Sequence, residues 1–155
     1  MIKEVKTMNE PQVRVGVGTF VVKNGRFLIM KRHGSHGEGT WALPGGHMEF
    51  GETVTQTTVR EIKEETDLEV FGTIDVGFTN DIFTKEGKHY ITVFSLSYTK
   101  GTPKIMEPHK CIEMKWVARL EDIPEPQFIP LKNLVNTTFA DNINQLVKAS
   151  KRSES

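Results

Sequence analysis

Three carboxylates, Glu61, Glu64 and Glu65, fall within five positions of one another, in a segment whose pattern fits a helix. On a helix, Glu61 lies against Glu64 and Glu65 at i+3 and i+4 spacing. Each such like-charge pair costs about 0.2–0.5 kcal/mol. A helix ending near Thr66 would also gather them at its C-terminus, where the macrodipole is already negative. Folding alone gives no reason for this arrangement. A divalent cation shared by the carboxylates removes both penalties, so the cluster reads as a metal site. Thr53 and Gln56 have capping-box spacing and place the helix start near Thr53. Val54, Thr58 and Ile62 form an i+4 stripe suited to a sheet. Arg60, four residues before Glu64, is placed to neutralise part of the charge.

The chain has 155 residues, the length of one ordinary domain. Residues 13–150 are expected to form it, with a loose arm at 1–12 and a frayed tail at 151–155. Twenty basic residues balance twenty acidic ones, which argues against a dedicated nucleic-acid binder. The one cysteine, Cys111, excludes an internal disulfide, fits a reducing compartment and reads as a small buried residue. No apolar run approaches the ~20 residues of a membrane span. The first eleven residues are charged and lack an apolar signal core, so the expected location is the cytoplasm, away from membranes.

Val13 to Val22 is rich in β-branched residues and interrupted by Gly16 and Gly18, which predicts a strand with a flat patch. Asn24-Gly25 predicts a hairpin into Arg26–Met30. Residues 33–39 form a glycine-rich loop, and Trp41–Leu43 a short strand entering Pro44-Gly45-Gly46. Strands are expected near 70–83, 89–99 and 112–117. Along the second of these, Tyr90, Thr92, Phe94, Leu96 and Tyr98 share one face. Pro124, Pro126 and Pro130 predict a non-helical loop, and 141–149 a final helix. Many strands with two helices imply an α+β sandwich, a mixed sheet covered by helices.

Taken whole, the stretch runs Gly46, five residues, Glu52, seven residues, Arg60-Glu61, Ile62, one residue, Glu64-Glu65, two residues, Leu68. This resembles the Nudix box. Asp67 stands where the family usually has a helix-ending glycine, and Asp tolerates the left-handed conformation better than most residues. The runs Gly34–Glu52, Glu107-Pro-His-Lys-Cys111 and Phe128-Ile-Pro-Leu131 resemble the small MutT-like nucleoside triphosphate diphosphatases. Together the resemblance covers roughly residues 13–135.

The resemblance implies an α/β/α sandwich with the box as a loop–helix–loop, holding Mg2+, with Mn2+ as a substitute. Magnesium takes hard oxygens from one or two carboxylates, several waters and substrate phosphates. Glu61 and Glu65 are the expected direct ligands, Glu64 a ligand for a second ion, and the Gly46 carbonyl a further donor. Glu52 is expected to brace Arg60. Glu107 and Glu113 are both candidates for a loop carboxylate; Glu107 is preferred from its Glu-Pro-x-Lys-Cys setting. Which carboxylate takes the proton stays open. Arg32 is expected on phosphate, and Gly16, Gly18, His47 and the Phe128 loop around the base. Ile129 replaces a common aromatic residue of the subgroup, so base preference does not transfer. The implied reaction is water attack on a nucleoside triphosphate, or a modified one, giving monophosphate and pyrophosphate, in a homodimer. Another diphosphate substrate (ADP-ribose, a nucleotide sugar or a prenyl diphosphate) and a non-catalytic nucleotide sensor are the rival readings.

Overall fold

The computed structural model describes residues 10–151, so most of the expected arm (1–9) and tail (152–155) lies outside the described residues. Seven strands and three helices follow in order: β1 Val13–Lys23, β2 Arg26–Arg32, β3 Trp41–Ala42, β4 Gly45–His47, α1 Val54–Thr66, β5 Phe71–Phe83, β6 Lys88–Tyr98, β7 Cys111–Val117, α2 Ile129–Val135 and α3 Ala140–Ala149. A 3-10 turn at Leu120–Asp122 precedes α2.

The strands form one mixed sheet in the order β3-β2-β1-β6-β5, with β4 on β1 and β7 on β2. Among the named strands of the described residues, only the β1–β6 pair is parallel, running from Val13↔His89 to Val22↔Tyr98. On its other edge β1 forks. Val22 and Lys23 pair with β2 across the Asn24-Gly25 turn, whose two residues both take positive φ. Gly16 to Gly18 pair instead with β4.

Strand alternation sends side chains to two cores. Phe20, Val22, Phe27 and Ile29 join Phe94, Leu96, Leu131, Leu134, Ile143 and Val147 beneath α2 and α3. Val21 and Leu28 pack with Ile62 and Leu68 beneath α1. Helices thus cover both faces, giving the α/β/α sandwich.

The start and end of α1 follow from local chemistry. Thr53 Oγ1 accepts from Gln56 N (3.1 Å) and Gln56 Oε1 accepts from Thr53 N (2.9 Å), closing the capping box. Asp67 ends the helix at φ 62°, with its N–H on the Lys63 carbonyl and its carboxylate 3.0 Å from Lys63 Nζ. The buried stripe is more polar than the i+4 reading implies: Thr57, Thr58 and Thr66 lie buried beside Ile62. Thr58 Oγ1 and Thr19 Oγ1 meet Ser95 Oγ at 2.8 and 2.9 Å, so hydroxyls join helix to sheet. Thr53→Ala is expected to cost about 1 kcal/mol. Urea unfolding checks this, and a midpoint unchanged from wild type would contradict it.

Two expectations need correction. Pro130 does not keep its segment from becoming helical: it sits in the first turn of α2, where its missing N–H costs nothing. Gly45–His47 is a strand rather than loop, because two glycines let it lie flat against β1.

Candidate active site

A cavity of about 600 Å³ opens where β1 forks, within the range of small-molecule sites. Gly45, Gly46, Glu61, Glu65 and Glu107 line one part of its wall; His36, Phe83, Tyr90 and Phe128 line another.

The carboxylate part is built on a brace. Glu52 receives Arg60 Nε at 2.7 Å and Arg60 Nη2 at 2.9 Å, and accepts from Glu49 N and Thr57 Oγ1. Arg60 and these further donors hold the Glu52 carboxyl down at about 2. The hydrogen bonds to Glu52 also raise the Arg60 pKa, so the pair stays ionised. Arg60 Nη2 donates to the His47 carbonyl (3.0 Å), and its Nη1 lies 2.7 Å from Glu61 Oε1 and 3.6 Å from Glu64 Oε1. One guanidinium thus offsets the like-charge crowding of the helix and ties it to β4.

Glu65 Oε1 accepts from Gly45 N at 3.1 Å. Burial, with the charges of Glu61 and Glu107 adding to it, pushes the Glu65 carboxyl up to about 8 against the opposing Gly45 N–H and Arg32. Glu61 is also raised, chiefly by burial, with Arg60 opposing. A Cβ on Gly46 would fall on the Glu61 carboxylate, so a side chain there would displace that carboxylate from its place beside Arg60.

The donor set fits a hard divalent cation: the carboxylates of Glu61, Glu65 and Glu107 share one cavity wall with the Gly46 backbone, with room for waters and phosphates. Among the described residues, no three acidic, histidine or cysteine side chains form a closed cage. Glu61 is turned to Arg60, Glu65 to Gly45, and Glu64 is half exposed, outside the cavity wall. Glu113 is likewise absent from that wall, whereas Glu107 is on it.

The aromatic part gathers residues from four separate segments. Arg32 donates from Nε to the His36 carbonyl (3.0 Å), and its guanidinium lies 4.1 Å from the Phe128 ring centroid. Gly37, at φ +78°, lets the loop pass: an added Cβ would meet Phe128 at 2.8 Å. His47 stacks on Tyr90 at 5.4 Å and meets its hydroxyl at 3.0 Å. Burial, then the charges of Arg14, Lys88 and Arg32, lower the His47 pKa. Gly16 and Gly18 line the cavity, as does Phe128. Ile129, expected beside the base, begins α2 and is not on the wall. Cys111 lines it as a buried thiol, its pKa raised by burial.

Sequence reading missed His36, Phe83 and Lys88 on this wall. The alternation of β6 grouped Tyr90 with Phe94 on one face, which was a usable signal. Nothing local marked His36.

The sequence matches the NUDIX domain family over residues 12–135. The chain is a member of the Nudix family. A solved MutT Nudix hydrolase from Burkholderia pseudomallei superposes with a TM-score of 0.71 at 31% identity, over 79% of this chain and 98% of that one. The ADP-ribose pyrophosphatase of Methanocaldococcus jannaschii is 48% identical over 54 residues, 35% of this chain and 32% of that protein. The nucleoside triphosphatase NudI of an Enterobacter species is 38% identical over 76 residues, 46% of this chain and 54% of that protein. These two and five further curated relatives are matched over only 18% to 54% of their own length. No described helix of this Nudix chain is long and apolar enough to cross a membrane.

Proposed function

We propose that this Nudix protein hydrolyses a diphosphate linkage of a nucleotide, with a nucleoside triphosphate as the substrate and monophosphate and pyrophosphate as products. The observation that carries this reading is one cavity wall holding both Gly46, Glu61, Glu65 and Glu107 and the rings of Phe83, Tyr90 and Phe128. Carboxylates suit metal-bridged phosphates; rings suit a base.

Gly46, Glu61, Glu65 and Glu107 are the residues that would hold the cation, Mg2+ with Mn2+ as substitute. When bound, the ion supplies charge neutralisation at phosphoryl oxygens and a more acidic water. Glu64, outside the wall, would serve a second ion only after turning inward. Glu52 and Arg60 position Glu61 and the His47 backbone. Arg32 offers its guanidinium to phosphate oxygens, while Gly16, Gly18, His47 and Phe128 bound the base. The balanced charge supports a small-molecule substrate rather than nucleic acid, and the single buried cysteine a cytoplasmic setting. A homodimer is part of this reading on family resemblance.

A panel of nucleoside triphosphates, ADP-ribose and nucleotide sugars, assayed with Mg2+ and with pyrophosphate resolved from phosphate, tests it. Inert triphosphates alongside cleaved ADP-ribose would overturn the triphosphate reading; binding without product would favour a sensor. Chelation is expected to abolish turnover, and Mg2+ to restore it. Mn2+ is also expected to raise the melting temperature of wild type and not of Glu65→Gln; equal gains would place the ion elsewhere.

A further inference from the structure

His36 sits in the glycine-rich loop after β2, yet its side chain is only 19% exposed. Its ring meets Phe83 edge-on at 4.5 Å and Phe128 at 5.4 Å, with interplanar angles of 70° and 72°. Its backbone carbonyl is held by Arg32 Nε. Nδ1 is fully buried and makes no hydrogen bond. The nearest carboxylate oxygen, Glu86 Oε1 on the β5–β6 turn, lies 3.9 Å away. That is too long for a hydrogen bond but close enough to favour a proton on Nδ1 over a lone pair.

A neutral imidazole carries one N–H and one lone pair. Burial and the charges of Arg32 and Lys88 lower the His36 pKa against the opposing pull of Glu86, which keeps the ring neutral near pH 7. With the proton on Nδ1, Nε2 is an acceptor. No described residue donates to it, and the ring lines the cavity. An acceptor repels phosphate oxygens and suits a donor. Phe83, Phe128 and Tyr90 around it suit a planar heterocycle.

We propose that His36 reads the nucleobase: its Nε2 accepts a hydrogen bond from an exocyclic amino group of the base, and Glu86 fixes the tautomer that makes it an acceptor. This rests on the nucleotide reading above and deepens it to amino-bearing bases. A site built to pair a donor also disfavours an analogue that lacks it.

The test takes the best substrate among dATP, dGTP and dCTP and its analogue without the exocyclic amine. KM and kcat are measured separately, with Mg2+ in excess. Wild type is expected to favour the amine-bearing form about three- to tenfold in kcat/KM, the scale of one neutral hydrogen bond. His36→Phe keeps a ring and removes the acceptor. It should raise KM for the amine-bearing form by about that factor more than for the analogue. His36→Gln, which restores an acceptor oxygen, should recover part of the preference, and Glu86→Gln should weaken it. No preference in wild type, or an equal loss on both substrates in His36→Phe, would overturn the proposal. Failure of wild type to cleave any triphosphate would instead overturn the functional reading, and the proposal with it.

Discussion

Glu65→Gln is expected to lower turnover about a hundredfold or more with little loss of stability. Glu65 is buried beside Glu61 and Glu107, and its carboxyl is pushed up to about 8. In the cation-free protein it is therefore mostly protonated at neutral pH. Glutamine matches that neutral form in shape, and its amide oxygen can still accept from Gly45 N. What the variant lacks is the anionic state that a cation needs. Losing a charged ligand forfeits several kcal/mol of transition-state stabilisation, and each 1.36 kcal/mol is a factor of ten. Steady-state rates with Mg2+, beside thermal melts of both proteins, separate the two effects. Activity within a few-fold of wild type would remove Glu65 from the proposed site. The sign of the pH effect follows from the same shift. A carboxyl raised on folding contributes stability that is fully present below its unfolded pKa and is lost as pH rises through the folded one. The cation-free wild type should thus lose stability as pH rises from about 4.5 toward about 8, and Glu65→Gln should flatten that slope.

The second large effect belongs to Asp81, fully buried on β5. Its Oδ2 accepts from Thr79 Oγ1 at 2.9 Å and Thr92 Oγ1 at 2.6 Å, and its Oδ1 from Asn133 Nδ2 at 2.9 Å. One carboxylate thus binds β5, β6 and α2 together. Asp81→Ala leaves three donors without their acceptor and opens a small void. The expected cost is about 2–4 kcal/mol, read as a fall of about 5–15 °C in melting temperature. Thr92 also lines the cavity, so KM should rise in the surviving fold. A change under about 1 kcal/mol would show that water or rotated hydroxyls replace the carboxylate at no cost.

What was legible in the sequence was what neighbours in the chain decide. The Asn24-Gly25 turn, the Thr53–Gln56 cap and the left-handed Asp67 each depend on a few adjacent residues, and each is in place. The Glu52–Arg60 brace was legible only through the family pattern, since Glu52 stands before the helix cap. Pro130 misled because the same residue breaks a helix inside it and suits its first turn. The strand role of Gly45–His47 depends on a partner, Gly16–Gly18, some thirty residues earlier. The aromatic wall was least legible: Phe83, Tyr90, Phe128 and His36 come together only after the sheet forms. No periodicity links a loop histidine to a turn glutamate fifty residues away.

The fork in β1 divides the site into a floor and walls of different character. The floor is strand backbone, locked by ladder bonds to β4 and β6 and by Thr19 N to Pro44 O at 2.9 Å. Two of the walls are loops, at 33–40 and ahead of α2, held to the strands by isolated backbone bonds such as Gly39 N to Arg32 O and Phe128 N to Trp41 O. Amide protons of the floor should therefore exchange with solvent far more slowly than those of the walls. A loop of another length after β2 would meet the same floor without shifting any strand register. Recognition can be exchanged like a fitting on a fixed mount, while the proposed phosphate chemistry beneath it stays aligned.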